Sequence, residues 1–279
     1  MRRTKPSLLM GSLLLTLAFA ALPAPASATW SVIAIDIRTG RVVVASATCV
    51  AQARFANFPA KGLMDVQAIV VPGVGVAAAQ AGVDATRANQ TLVYEQLKEG
   101  TDPRLILDML RADPNIERRQ FGIIDIQGRS IGFSGSSNGA ASLSRQGRVP
   151  GTDIYYSVQG NILASDAVVV NAARALEETS GDMTDKVMAA MEAADAAGGD
   201  SRCTCETEPV PDAPCDGRNA HVAYILAADR DDPEGESFND GEYDMYIDVT
   251  DENIEPHENG NPVMTLRMRY DAWKVSRQE

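Results

Sequence analysis

The chain has 279 residues, of which 38 are acidic and 25 basic, giving a formal net charge of −13. This charge argues against nucleic acid as a partner, because phosphate contacts need clustered lysine and arginine. The length is sufficient for one large domain with a sizeable hydrophobic core, or for two small domains.

The first 28 residues have the pattern of an export signal. Three basic residues precede an apolar run from Leu8 to Leu22, and Ala26-Ser27-Ala28 supplies the small-x-small cleavage pattern. We therefore predict a signal peptide over 1–28 and a protein exported to the periplasm or the extracellular space. No later apolar run approaches the length of about 18 residues that a membrane span needs, so no membrane contact is expected after cleavage. An uncleaved anchor is the alternative.

Cleavage after Ala28 would make Thr29 the first residue of the mature chain, directly before a strand-like apolar run. An N-terminal threonine can act as a nucleophile that uses its own α-amine as the base. The alternative is that Thr29 is only the point where the peptidase cuts. Cleavage after Ala26 would expose Ser27 instead.

Strand hairpins alternate with helix pairs along the rest of the chain. The pattern predicts three hairpins, formed by 30–36 with 41–48, by 66–71 with 75–80, and by 121–126 with 129–134. Helices are predicted from Asp84 to about Glu99, from Pro103 onward, and over 165–178, 184–197 and a terminal segment from Pro262. In the helix from Pro103, one face is predicted to hold Leu105, Ile106, Met109 and Leu110. Further strands are predicted over 220–228 and 243–249.

The two faces of the first predicted hairpin are both apolar, as in strands that are covered on both sides. Hairpins interleaved with helix pairs favour two sheets with helices on both outer sides. A doubly wound Rossmann sheet is the alternative, but no glycine-rich fingerprint follows a strand.

The four cysteines are Cys49, Cys203, Cys205 and Cys215, and export permits disulfides. A bond between Cys203 and Cys205 would be cramped, so Cys215 is expected to pair with one of them. Cys49 is expected to be buried or to be a disulfide partner. Neither histidine has finger-like spacing from the cysteines, which disfavours a cysteine metal site.

A dense acidic stretch over 229–242 suggests calcium as the only cofactor to consider. Carboxylates of Asp231, Asp232 and Asp240 could ligate Ca²⁺, although the stretch does not fit the EF-hand pattern. A solvated acidic loop is the alternative. Calcium binding predicts a melting shift that is lost when the three aspartates are neutralised.

Five segments resemble a bacterial family known as domain of unknown function 1028, which is grouped with N-terminal nucleophile (Ntn) hydrolase-like proteins. These segments are 29–34, 71–76, 118–122, 156–164 and 196–200. The resemblance implies an α+β fold, a four-layer α/β/β/α sandwich, in agreement with the layer argument. After Asp200 the chain departs from the family pattern, so we expect a single domain over 29–279 with a Cys/Pro/acidic insertion around 201–244.

The resemblance supports Thr29 as the nucleophile, because family members often begin with Met-Thr. Its hydroxyl would attack an amide carbonyl, and its α-amine would take the proton. Ser31, Ser46 and Asn161 are candidate catalytic donors. Gln159 is a candidate substrate-binding residue, although the Gln159–Asn161 stretch, interpreted as a turn, could instead bond its own backbone.

Lys61 is a second candidate substrate-binding residue, with a solvated surface position as its alternative. The leading hypothesis is an exported amidohydrolase or peptidase-like protein acting on a small-molecule or peptide substrate. A non-catalytic Ntn-like binding or assembly scaffold is the alternative, and whether the protein is an enzyme stays open. By analogy with Ntn-like folds, a homo-oligomer is also expected.

Overall fold

The computed structural model describes residues 29–56 and 62–277, so the predicted signal peptide and Lys61 lie outside the described residues. Within these ranges, ten strands form two sheets, and seven α-helices accompany them. The strands are β1 (Thr29–Asp36), β2 (Val42–Thr48), β3 (Ala68–Val71), β4 (Gly75–Ala81), β5 (Arg119–Asp125), β6 (Ser130–Ser134), β7 (Leu143–Arg148), β8 (Ile154–Asn161), β9 (Val222–Ala228) and β10 (Met245–Thr250). The helices are α1 (Gln52–Phe55), α2 (Leu63–Gln67), α3 (Ala88–Lys98), α4 (Pro103–Leu110), α5 (Ala167–Glu178), α6 (Met183–Ala196) and α7 (Pro262–Ser276).

Six strands form one sheet, in the order β10-β9-β2-β1-β8-β7, and four form the other, in the order β3-β4-β5-β6. Every neighbouring pair in both sheets is antiparallel. The fold is therefore mixed α+β, and the doubly wound parallel alternative is wrong. The three predicted hairpins are confirmed as β1–β2, β3–β4 and β5–β6.

Three apolar clusters make up the core. One joins the outward face of the six-stranded sheet to α5, α6 and α7, and another joins the four-stranded sheet to α3 and α4. The remaining cluster lies between the sheets and includes Ile33, Ile35, Val44, Val76 and Ile124. Alternate residues of β1 belong to different clusters, because successive side chains of a strand point to opposite faces.

Two helix predictions need correction. The helix predicted from Asp84 begins at Ala88, because the Asp84 carboxylate accepts from Thr86 and Asn89 in a turn that precedes the helix. In α4, Leu105 and Met109 were placed on the buried face, but they are 55% and 43% exposed. The buried stripe instead consists of Ile106, Leu107 and Leu110.

The segment before the second helix pair also differs from its prediction. Gln159, Gly160 and Asn161 were expected to form a turn, but they are the last three residues of β8. Gln159 and Gly160 pair with both β1 and β7, and Asn161 pairs with β1. β7 was not predicted, because its sequence Leu-Ser-Arg-Gln-Gly-Arg lacks an apolar face and its residues are half-buried or exposed.

Two disulfides are present, Cys49–Cys203 and Cys205–Cys215. Disulfides are typical of proteins in oxidising compartments. The first joins the residue after β2 to the segment that follows α6. The buried Asp200 carboxylate accepts from the Cys49 amide at 2.8 Å and supports the same junction. Among the described residues, no helix is long and apolar enough to cross a membrane.

Candidate functional site

Thr29 lies at the first position of β1 and faces the space between the sheets. It is only 3% exposed. In the six-stranded sheet it pairs with Thr48 of β2 on one side and Asn161 of β8 on the other. Its hydroxyl donates to the Thr48 hydroxyl at 3.3 Å. The sheet thus places two polar side chains, Thr48 and Asn161, in one row with Thr29, the residue that the predicted signal cleavage would expose.

Four buried glutamines, which we call the glutamine cluster, lie beside this row. They are Gln67 of α2, Gln80 of β4, Gln120 of β5 and Gln159 of β8. Gln80 is central, because its Nε2 donates to the Thr29 carbonyl at 3.0 Å and to Gln120 Oε1 at 2.6 Å. Its Oε1 accepts from Gln67 Nε2 and from Ser31 Oγ, each at 2.7 Å. Both sheets are therefore tied to the backbone of Thr29 through one amide.

Ser31 connects the cluster to the six-stranded sheet. Its hydroxyl accepts from Gln159 Nε2 at 2.7 Å, and Gln159 Oε1 accepts from Ser157 at 2.8 Å. Gly122 of β5 makes room for this arrangement, because a Cβ there would lie 2.2 Å from Gln159 Oε1. Gln159 therefore acts here as a structural partner of Ser31, its neighbour on the adjacent strand of the same sheet.

The small pocket at Thr29 has a free volume of about 20 Å³, which is room for about one water molecule. Its described lining includes Thr48, Gln67, Gln80 and several apolar side chains. None of the described lining residues is ionisable. Within the described part of the chain, no carboxylate, imidazole or lysine is therefore placed in this pocket to act as a base for the Thr29 hydroxyl.

Two residues next to the site have left-handed backbone conformations. Ala81 directly follows Gln80 and has a φ of 72°, and Ile162 directly follows Asn161 and has a φ of 54°. Such values are uncommon outside glycine, and for a β-branched residue they are outliers. Backbone strain of this kind concentrates at functional sites, because only a well-packed surrounding structure maintains it.

The remaining predicted site residues are placed as follows. Ser46 is buried opposite Ser31, and its hydroxyl donates to the Trp30 carbonyl at 2.6 Å. In the acidic stretch, Asp232 accepts from the backbone amides of Asp229 and Asp244, and Asp240 accepts from that of Ser237. Over the described ranges, no group of three or more acidic, histidine or cysteine residues is placed to hold a metal ion.

His221 directly precedes β9 and is buried near the site. Its backbone amide donates to the Thr48 carbonyl at 2.7 Å. Burial, followed by the positive charges of Arg218 and Arg202, lowers the pKa of the imidazole to about 4. Val222, the next residue along the chain, belongs to the cluster between the sheets, and Ala220 and Ala223 belong to the cluster beneath α5 and α6. His221 is thus a neutral buried group rather than a member of the Thr29 row.

Sequence reasoning missed Gln67, Gln80 and Gln120, which hold the site together. Gln80 and Gln120 each lie in an apolar strand at a position that alternation places on the buried face. A glutamine at such a position must find hydrogen-bond partners, so the sequence pattern could have predicted that these two residues belong to a buried polar cluster. Gln67, at the end of the short α2, gave no comparable signal.

The fold and site define a class: an α+β protein whose two antiparallel sheets enclose a buried, uncharged polar site at the start of the first strand. A family model described as "Family of unknown function (DUF1028)" matches residues 29–206, more than half of the chain. The chain belongs to this family. The match begins at Thr29, the residue that opens β1.

A solved structure has a similar fold. It is the crystal structure of protein SPO2555 from Silicibacter pomeroyi, which is also described as DUF1028. It is 20% identical in sequence, with a TM-score of 0.62, and the match covers 88% of this chain and 89% of that one. This likeness concerns the fold alone. No curated protein of significantly similar sequence was found.

Proposed function

We propose that the mature protein is an exported amide-bond hydrolase in which Thr29 is an N-terminal nucleophile, built on a four-layer α/β/β/α sandwich of the Ntn type. One observation carries the proposal. The residue exposed by the predicted signal cleavage is also the buried first residue of β1, held by Gln80 between Thr48 and Asn161.

The absence of ionisable groups from the described pocket lining fits this chemistry. Cleavage would leave a free α-amine on Thr29 itself, with a reference pKa of about 7.7–8.0. An amine in a water-poor pocket titrates below its exposed value, because burial disfavours the charged form. The Thr29 amine would then be neutral near pH 7 and able to accept the hydroxyl proton.

The reaction would proceed through an ester. Thr29 Oγ1 attacks the amide carbonyl carbon, the C–N bond breaks, and the amine leaves with the proton that the α-amine accepted. Water then hydrolyses the acyl-threonine. Asn161 and the Thr48 hydroxyl flank the nucleophile and are the side chains that we assign to the developing oxyanion. Gln80 is a positioning residue, because it bonds the Thr29 carbonyl.

The test is intact-mass analysis and N-terminal sequencing of the exported protein, with and without a β-lactone acylating probe. We expect a chain that begins at Thr29 and gains one probe mass there, at a rate that rises as the pH passes the amine pKa. Thr29→Ala should not be labelled, whereas the matched control Thr39→Ala, at an exposed turn, should react like the wild type. A chain that begins elsewhere, or an unreactive Thr29, would contradict the proposal.

The small volume at Thr29 favours a second candidate, a non-catalytic binding scaffold of the same fold. A pocket with room for about one water must open before an amide substrate can enter. In this candidate the polar row only stabilises the join between the sheets. An unlabelled Thr29 at a correctly processed amino terminus would support it.

A further inference from the structure

A second, larger cavity lies between α2 and the β9–β10 end of the six-stranded sheet. Its free volume is about 110 Å³. Two tyrosines, Tyr224 and Tyr246, form part of its wall, with ring centroids 6.4 Å apart and planes inclined by 52°. Asp65 and Asp248 also line it. No described residue of its lining is a lysine, an arginine or a histidine.

We propose that this cavity, the tyrosine pocket, binds a small organic cation, namely an alkylammonium group. Two inclined aromatic rings offer negative π faces to a cation, and the carboxylates supply the opposite charge. A metal ion is disfavoured, because the described part of the chain places no group of three or more metal-ligating side chains here. An anion would be repelled by Asp65 and Asp248.

The pKa values of the two tyrosines are raised first by burial and then by nearby negative charge. The pKa of Tyr246 is raised by desolvation of its hydroxyl and then by the charges of Asp248 and Asp65. The pKa of Tyr224 is raised by burial, by Tyr246 and by Asp65. Tyr246 is 47% exposed, so one ring is accessible from solvent. A cation could therefore reach the aromatic wall without a rearrangement of the core.

The tyrosine pocket shares the inner face of the sheet with Thr29. Strand pairing places Thr29, Thr48, Val222 and Thr250 in one continuous row. Adjacent strands are about 4.8 Å apart, so Val222 and Thr250 lie roughly 10 and 14 Å from Thr29. Three to four residues of an extended chain span that distance.

Hydrogen bonds also connect the two places. The Tyr224 hydroxyl donates to Gln67 Oε1 at 2.9 Å, and Gln67 Nε2 donates to Gln80 Oε1 at 2.7 Å. Gln80 Nε2 in turn donates to the Thr29 carbonyl. In this series of hydrogen bonds each group donates toward Thr29, an arrangement in which each bond polarises the next. The tyrosine pocket would then hold the ammonium end of a short peptide or amide substrate, a role that rests on the proposed function.

Direct binding tests the pocket without requiring catalysis. The probe is n-butylammonium, titrated by isothermal calorimetry at about 0.15 M salt, with n-butanol as the uncharged counterpart. We expect saturable millimolar binding of the cation only. Asp248→Asn and Tyr246→Leu should each weaken binding about fivefold or more. Asp108→Asn, which changes an exposed aspartate of α4, should leave the affinity unchanged.

Thr29→Ala separates this proposal from the proposed function. Its affinity for n-butylammonium should equal that of the wild type, even though the nucleophile is gone. Equal binding of n-butanol, an unchanged affinity in both pocket variants, or displacement of the probe by stoichiometric Ca²⁺ would overturn the cation pocket. Melting curves of the two variants identify any loss of binding that is due to unfolding. The two variants test the pocket separately, because one changes a carboxylate and the other changes a half-exposed ring.

Discussion

The space between the two sheets has a polar end and an apolar end, although both are fully buried. Along the inner face of β1, Thr29 and Ser31 belong to the polar end, and Ile33 and Ile35 to the apolar end. The apolar end gains stability from burial in proportion to area, with little demand on geometry. The polar end gains little net stability even when every hydrogen bond is made, and loses much when one partner is missing. The polar end therefore contributes less to the stability of the fold than an apolar end of the same size would, which is consistent with a role other than folding.

The largest expected effect comes from the apolar end. Ile33→Ala should reduce the free energy of unfolding by about 2–5 kcal/mol, because it leaves a cavity between tightly packed sheets. Urea unfolding measures this change. The substitution should not alter labelling of Thr29 by an acylating probe under native conditions, since it lies outside the polar row. A loss of labelling in a folded Ile33→Ala protein would show that the two ends are not separable.

Removal of the central glutamine should have the next largest effect. Gln80→Leu keeps the side-chain size but leaves Ser31, Gln67 and the Thr29 carbonyl without their partner, which should cost about 2–3 kcal/mol. Gln127→Leu is the matched control, because Gln127 is exposed in a turn, and it should change stability by less than about 0.5 kcal/mol. If Gln80→Leu proved as stable as the wild type, the polar end would have no structural role.

The response to pH provides a third way to compare the ends. The described glutamine cluster contains no ionisable side chain, so its stabilisation should not depend on pH. His221, which lies outside this cluster, has a folded-state pKa of about 4 against 6.5 when unfolded. The unfolded chain then binds more protons between pH 6.5 and 4, so the contribution of His221 is complete above pH 6.5 and is lost as the pH falls toward 4.

The measurement is the difference between wild type and His221→Gln across this window. The wild type should lose about 3 kcal/mol more than the variant between pH 7 and pH 4. Gln80→Leu, by contrast, should reduce stability by the same amount at both pH values. Parallel pH profiles for the wild type and His221→Gln would contradict the neutral buried state of the imidazole.

The two ends also differ in how far the sequence predicts them. Alternating and doubly apolar strands predicted the hairpins and placed Ile33 and Ile35 in a core, because hydrophobic periodicity reports burial directly. The same periodicity marks Gln80 only as a buried polar residue, and its partners come from α2, β1 and β5, which no local pattern brings together. The cleavage point predicts Thr29 as a site residue, and a shared sheet face predicts Ser31, whereas their connection through Gln80 depends on how the two sheets face each other.

The smallest expected effect distinguishes the two serines that lie opposite each other in β1 and β2. Ser31→Ala removes a partner of both Gln80 and Gln159, so it should cost about 1–2 kcal/mol. Ser46→Ala removes only a bond to the Trp30 carbonyl, which already belongs to a paired strand, and should cost about 1 kcal/mol or less. Both serines are fully buried and differ by the same single oxygen from alanine, so the comparison cancels burial and volume.

A double-mutant cycle with Gln80→Leu should show coupling for Ser31 and none for Ser46, because only Ser31 contacts the cluster. Equal coupling for both would mean that stability at this end depends on polarity in general rather than on the particular chain of bonds that holds Thr29.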